Sequence, residues 1–155
     1  STGLVVIETR PFLGDIQVRR DRWSRRRGLF GWLQFLSEGA LGNPTRDALR
    51  GVDEVRSHLA GRLGAETAER VPIQALVVFT HPRVGLTIEE PTVAVAHARD
   101  AREAVRRLAT GPKLPGEVAR RLEAALLEDA SPSGEPVAAT AVVERKVRRR
   151  PSRAR

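Results

Sequence analysis

Cysteine and methionine are absent from the 155-residue chain, and lysine supplies only two of its 27 basic residues. Without cysteine there is no disulfide, no thiolate zinc site and no thiol nucleophile, so packing alone must hold the fold. The missing methionine is consistent with a chain that has lost its initiator or begins inside a longer product. Long hydrophobic runs are missing too. Stretches such as Ala75 to Phe79 and Leu29 to Leu36 fall far short of the ~20 residues of a membrane helix. No basic region followed by an apolar stretch opens the chain, so neither a membrane span nor a signal peptide is expected, and the expected location is cytoplasmic. What is present is 41% hydrophobic residues, enough for one domain with a true core.

The net charge of +8 is unevenly spread: residues 1–35 carry +4, residues 36–143 carry −2 and residues 144–155 carry +6. The scarcity of lysine reads first as a bias of composition, so an arginine cluster needs more than its charge to be a site. Arg19-Arg20-Asp21-Arg22 and Arg25-Arg26-Arg27, followed by Phe30, Trp32 and Phe35, combine cations with rings. That pattern can track a phosphate backbone and stack bases. The competing reading buries the aromatics in the core and leaves the arginines solvated. The basic end, Arg145 to Arg155, fits attraction to nucleic acid or another polyanion, or a solubilising tail.

Gly3 to Glu8 and Ile16 to Arg22 read as strands, and Pro11-Phe-Leu-Gly14-Asp15 between them has turn chemistry, so the two are expected to pair as a hairpin that Trp23 closes. Asn43-Pro44 starts a helix, since asparagine accepts from an orphan N–H and proline suits the first helical position. Ala48, Val52, Val55 and Leu59 form its apolar stripe, and it is expected to end near Gly61 or Gly64. The nearly continuous apolar run from Pro72 to Phe79 predicts a central strand buried on both faces. Leu86 to Ile88 and Val93 to Val95 predict shorter strands. Ala98 to Ala109 predicts a helix, as does Gly116 to Glu128 with Val118, Leu122, Ala125 and Leu126 inward. Ser131 to Pro136 reads as a linker, Val137 to Val143 has strand propensity, and the basic end is expected to be disordered. The expected division is an α/β domain over residues 1–129, with a mixed sheet flanked by helices, and a linker with a basic tail over 130–155.

Several chemistries find no support. His58, His81 and His97 lack metal-ligand spacing, no serine lies in a Gly-x-Ser-x-Gly elbow, and no glycine-rich turn leads into a phosphate-binding helix. Glu8 and Arg10 remain. Two residues apart on a strand, they point to the same side. A carboxylate that holds Mg²⁺ and a cation that offsets charge on a scissile phosphate are the minimal parts of a metal-assisted phosphodiesterase. The same two residues also read as an ion pair at a sheet edge.

Gly3-Leu-Val-Val-Ile-Glu-Thr-Arg10, Gly14-Asp-Ile16, Trp23, Asn43-Pro44 and Val77-Val-Phe79, in that order, resemble the nuclease-related domain (NERD) family of the restriction-endonuclease-like, PD-(D/E)xK superfamily. The likeness runs from Gly3 to Leu108, about two thirds of the chain. It implies a partial restriction-endonuclease-like core and divalent-metal nuclease chemistry at a Glu-x-Lys strand. Glu8 matches the metal-binding acid, and Arg10 takes the lysine position. Arginine keeps the positive charge but does not give up a proton, so Arg10 would stabilise charge rather than act as a base. The family's other acid belongs to a strand that would precede Ser1, which leaves Glu8 as the sole expected carboxylate. Asp47 stands where the family has glutamine; it could donate a carboxylate, but the preferred expectation is a charged helix surface.

Two functions are open at this point. In the first, the chain is a nuclease-related protein acting on nucleic acid, DNA by preference, with Glu8 and Arg10 catalytic, Mg²⁺ on Glu8, and Arg19, Arg20, Arg22, Arg25, Arg26 and Arg27 on the phosphate backbone. In the second, it is a catalytically degenerate nucleic-acid-binding or protein-interaction module. In either case the strand edge from Leu4 to Glu8 is expected to need cover from a missing segment or a partner chain.

Overall fold

The computed structural model describes residues 2–25 and 41–129. Arg26, Arg27, Phe30, Trp32 and Phe35, the linker after Asp129, the strand-prone Val137 to Val143 and the basic tail all lie outside the described residues.

Among the described residues the fold is α/β, with two three-stranded sheets and helices around them. In the first sheet, strand β4 (Ile73–Phe79) lies between β1 (Leu4–Arg10) and β6 (Ala94–His97), and both neighbours are parallel to it. The second sheet is mixed. There β2 (Gly14–Arg19) lies between an antiparallel β3 (Arg22–Arg25) and a parallel β5 (Val84–Glu89). The helices among the described residues are α1 (Pro44–Leu63), α2 (Ala65–Arg70), α3 (Ala101–Leu108), which follows a single 3-10 turn, and α4 (Gly116–Asp129).

The expected hairpin is therefore corrected. β1 and β2 belong to different sheets, and Pro11 to Leu13 carry the chain between them. Turn residues suit a connection between sheets as well as a hairpin. The deciding factor is β1 itself, whose Val5 and Val6 each need an apolar cover on opposite faces, as a parallel sheet layered by helices provides. The true hairpin joins β2 to β3 across Arg20 and Asp21, both with positive φ, 46° and 63°. Two left-handed central residues give a turn whose twist matches that of the flanking strands. Trp23 consequently lies within β3, opposite Val18.

β4 is central and buried on both faces, as its apolar run predicts. Ala75, Val77 and Phe79 face a cluster with Phe12, Ile16 and Ala48, while Leu76 and Val78 face Ala101, Ala104, Val105 and Leu108 of α3. A third cluster gathers Leu59, Leu63, Ala68, Val71, Leu122 and Ala125 under α1, α2 and α4. Asn43 caps α1 by accepting from the Arg46 N–H at 3.0 Å, and the helix ends at Gly64, whose φ is +85°. α2, only six residues long, has too few turns for periodicity to reveal it. On α4, Leu126 departs from the expected stripe and stands exposed beside Leu127. Among the described residues no helix is long and apolar enough to cross a membrane.

Two details of β1 bear on the site. Its even-numbered residues face α1, and Gly51 of that helix lies so close to the strand that an added Cβ would stand 3.1 Å from Val6 Cγ1. β1 also pairs with β4 alone among the described residues, and Ile7 is 48% exposed.

Candidate functional site

Glu8 and Arg10 project from the carboxyl-terminal end of β1, beside Val77 and Phe79 of β4 in register. They share the α1 side of the sheet, as their spacing predicts, and Arg10 Nη2 lies 3.1 Å from Glu8 Oε1. The same nitrogen donates to Asp47 Oδ2 at 2.5 Å. Arg50 adds a longer contact, 3.9 Å from its Nη1 to Asp47 Oδ1. One guanidinium nitrogen thus joins two carboxylates, and all three side chains are partly shielded: 19% exposed for Arg10, 32% for Glu8 and 27% for Asp47. Arg10 Nε is buried with no hydrogen-bond partner among the described residues.

Asp47 is the member of this cluster that its sequence position does not single out. It lies on the charged surface of α1, paired with Arg50, and it also faces β1 and closes the cluster. Arg46, Asp47, Arg50 and Asp53 look alike as charged residues in sequence. The usable signal was Gly51, since a glycine inside a helix marks close backbone approach. Asp47 lies one turn before Gly51 on the same face of α1.

The start of α1 is held by a polar network whose members no local sequence pattern brings together. Trp23 Nε1 donates to Thr45 Oγ1 at 2.9 Å, and Thr45 Oγ1 donates to Asp21 Oδ1 at 3.2 Å. The Thr92 N–H reaches Asp21 Oδ1 at 2.9 Å, and the Thr92 hydroxyl donates to Asp21 Oδ2. The Trp23 ring packs on Phe79 with centroids 5.8 Å apart and a 36° tilt. The β2–β3 turn, the β5–β6 loop and the amino-terminal end of α1 are thereby tied together next to Arg10. Burial works to raise the Asp21 pKa, yet the hydrogen bonds from the Thr92 side chain, the Thr92 backbone and Thr45 outweigh it and hold the carboxyl below its ordinary value.

A depressed folded-state pKa contributes stability that is present above the unfolded-state value and is lost as pH falls through the folded one. Asp21→Asn is expected to cost less than about 1 kcal/mol at neutral pH, because solvent screens a partly exposed group such as this. The deficit relative to wild type should shrink below pH ~4, where the unfolded carboxyl is protonated. Urea unfolding of both proteins at neutral and acid pH measures this, and a deficit independent of pH would show that the charge is not what Thr45 and Thr92 hold.

The arginines expected on a phosphate backbone occupy a separate place. Arg19, Arg20 and Arg22 cluster at the tip of the β2–β3 hairpin, where they line an open groove of about 620 Å³ with Gln17 and Ser24. Arg19 pairs with Glu89 at 3.2 Å and Arg20 with Glu90 at 2.8 Å. Arg22 lies opposite Arg19, and Arg25 opposite Ile16 farther along β3. The hairpin is therefore partly neutralised by the end of β5 and the residue after it, a pairing that no local spacing foretells. Among the described residues no group of three or more His, Cys, Asp or Glu side chains is placed to hold a metal ion. Comparisons of the chain with protein-family models, curated proteins and solved structures give no match.

Proposed function

We propose that the chain is a nuclease-related domain acting on nucleic acid, DNA by preference, with the Glu8, Arg10 and Asp47 cluster as a Glu-x-Arg variant of a metal-dependent phosphodiesterase site. The observation that carries this reading is the second carboxylate. Asp47 joins Glu8 on a single Arg10 nitrogen, at the carboxyl-terminal end of parallel strands, where open α/β sheets place their ligands.

Two hard carboxylates meet the minimum for Mg²⁺, which takes one or two of them and completes its shell with water and substrate phosphate. Glu8 and Asp47 would hold the ion, which supplies Lewis-acid polarisation of the phosphate and a more acidic water. Arg10 offers the scissile phosphate a planar pair of N–H donors and offsets the charge that grows on its oxygens. It moves no proton. The hairpin arginines would contact the backbone away from the reacting phosphate, where contacts add affinity without base preference.

A second reading has its own observation: Arg10 is already paired with both carboxylates, as in a retired site that only binds. The test is a Mg²⁺ or Mn²⁺ titration of the full chain with labelled single- and double-stranded DNA, reading cleavage and binding together. Metal-dependent cleavage is the expected result. Binding that falls steeply with salt, with no cleavage at any metal concentration, would leave the binding module.

A further inference from the structure

We infer that Arg10 is an internal competitor of the divalent cation, and that a phosphodiester relieves the competition. The inference rests on the proposed reading of Glu8 and Asp47 as the metal-holding pair, and it assigns that pair a mode of regulation.

Arg10 Nη2 contacts Glu8 Oε1 at 3.1 Å and Asp47 Oδ2 at 2.5 Å. It therefore stands where a cation shared by the two oxygens would stand. Its Nε is buried with no acceptor among the described residues, so the guanidinium sits where the carboxylates draw it and not where all of its donors are satisfied. The two carboxylates attract either cation, but the guanidinium and a metal ion repel each other at contact distance. Occupancy by one is therefore at the expense of the other. Arg50, 3.9 Å from Asp47, adds to the positive charge that an arriving metal must overcome.

A phosphodiester changes the balance. It presents oxygens that suit the planar guanidinium at least as well as the carboxylates do. Arg10 can turn to it and leave Glu8 and Asp47 to the metal. Phosphodiester and metal then favour each other, and linkage makes the effect equal in both directions. The site would stay nearly metal-free until substrate arrives.

The test reads Mn²⁺ affinity from the paramagnetic resonance of the free ion, with full-length wild type and Arg10→Met and no DNA present. Arg10→Met is expected to bind Mn²⁺ at least about tenfold more tightly. Dimethyl phosphate, a simple phosphodiester, is expected to tighten binding to wild type and to leave the variant unchanged. Affinities within twofold of each other, tighter binding by wild type, or no binding by either protein overturns the inference. Should Arg10→Met fail to fold, wild type decides the matter through the buried Arg10 Nε–H signal in a nitrogen-edited NMR spectrum. Saturating Mg²⁺ is expected to strip that proton of its exchange protection, and an unchanged signal overturns the inference. None of these readouts uses DNA cleavage. An inactive protein that still shows the competition removes the nuclease reading alone, and an active one without it removes only the inference.

Discussion

On the proposed reading, Glu8→Ala is expected to lower metal-dependent DNA cleavage by about a hundredfold or more, to the level measured without metal. The size follows from the part assigned to Glu8: removing one of two carboxylates weakens both the hold on the ion and its placement against the phosphate, and a hundredfold corresponds to about 2.7 kcal/mol of transition-state stabilisation. Stability should change by no more than about 1 kcal/mol, because the Arg10–Glu8 pair is partly exposed and such pairs contribute little. Initial rates at saturating Mn²⁺, with a melting curve for each protein, separate the two effects. The variant passes through the same purification, so it also controls for a contaminating nuclease. A rate within threefold of wild type would remove Glu8 from the chemistry.

Phe79→Ala is expected to cost about 4 kcal/mol of folding free energy, within the range measured for truncating a buried aromatic ring. Phe79 is 1% exposed, belongs to the largest core cluster, and packs on Trp23. Its removal opens a cavity bounded by strands of both sheets, and neither sheet can close it without moving the other. A loss of this size is a large share of the stability of an ordinary domain. Urea unfolding measures it, and a cost below about 1.5 kcal/mol would mean that Trp23 refills the space. Because Phe79 is the register partner of Arg10, the variant should also loosen the site, so any fall in cleavage must be compared at equal folded fraction.

What the sequence made legible follows the range of the interactions. β4 was readable from Pro72 to Phe79 because burial on both faces leaves a continuous apolar run. The start of α1 was readable from Asn43-Pro44 because a cap is settled by neighbouring residues. The same local cues did not tell Pro11 to Asp15 which sheet the next strand would join, since a turn carries no record of its distant partner. The site divides in the same way. Glu8 and Arg10 share a strand, and their common side follows from its two-residue period. Asp47 comes from a helix whose rotation about its axis is set by Gly51 against Val6 and by Trp23, Thr45 and Asp21. Those contacts span tens of positions, and no motif encodes them. The pairing of Arg19 and Arg20 with Glu89 and Glu90 was hidden for the same reason.

The parallel pairing of β1 with β4 has a consequence in time. Leu4 pairs with Ile73, 69 positions later in the chain, so β1 leaves the ribosome well before its partner exists. At about 5–20 residues per second, synthesis of the intervening chain takes roughly 3–14 s. Throughout that interval the Leu4-Val-Val-Ile7 segment has no β4 beside it, and for most of it no complete α1 above it, since that helix ends only at Leu63. The strand that carries Glu8 and Arg10 is made early and docked late, and the nascent chain is most exposed to misassembly through the element that holds its candidate chemistry.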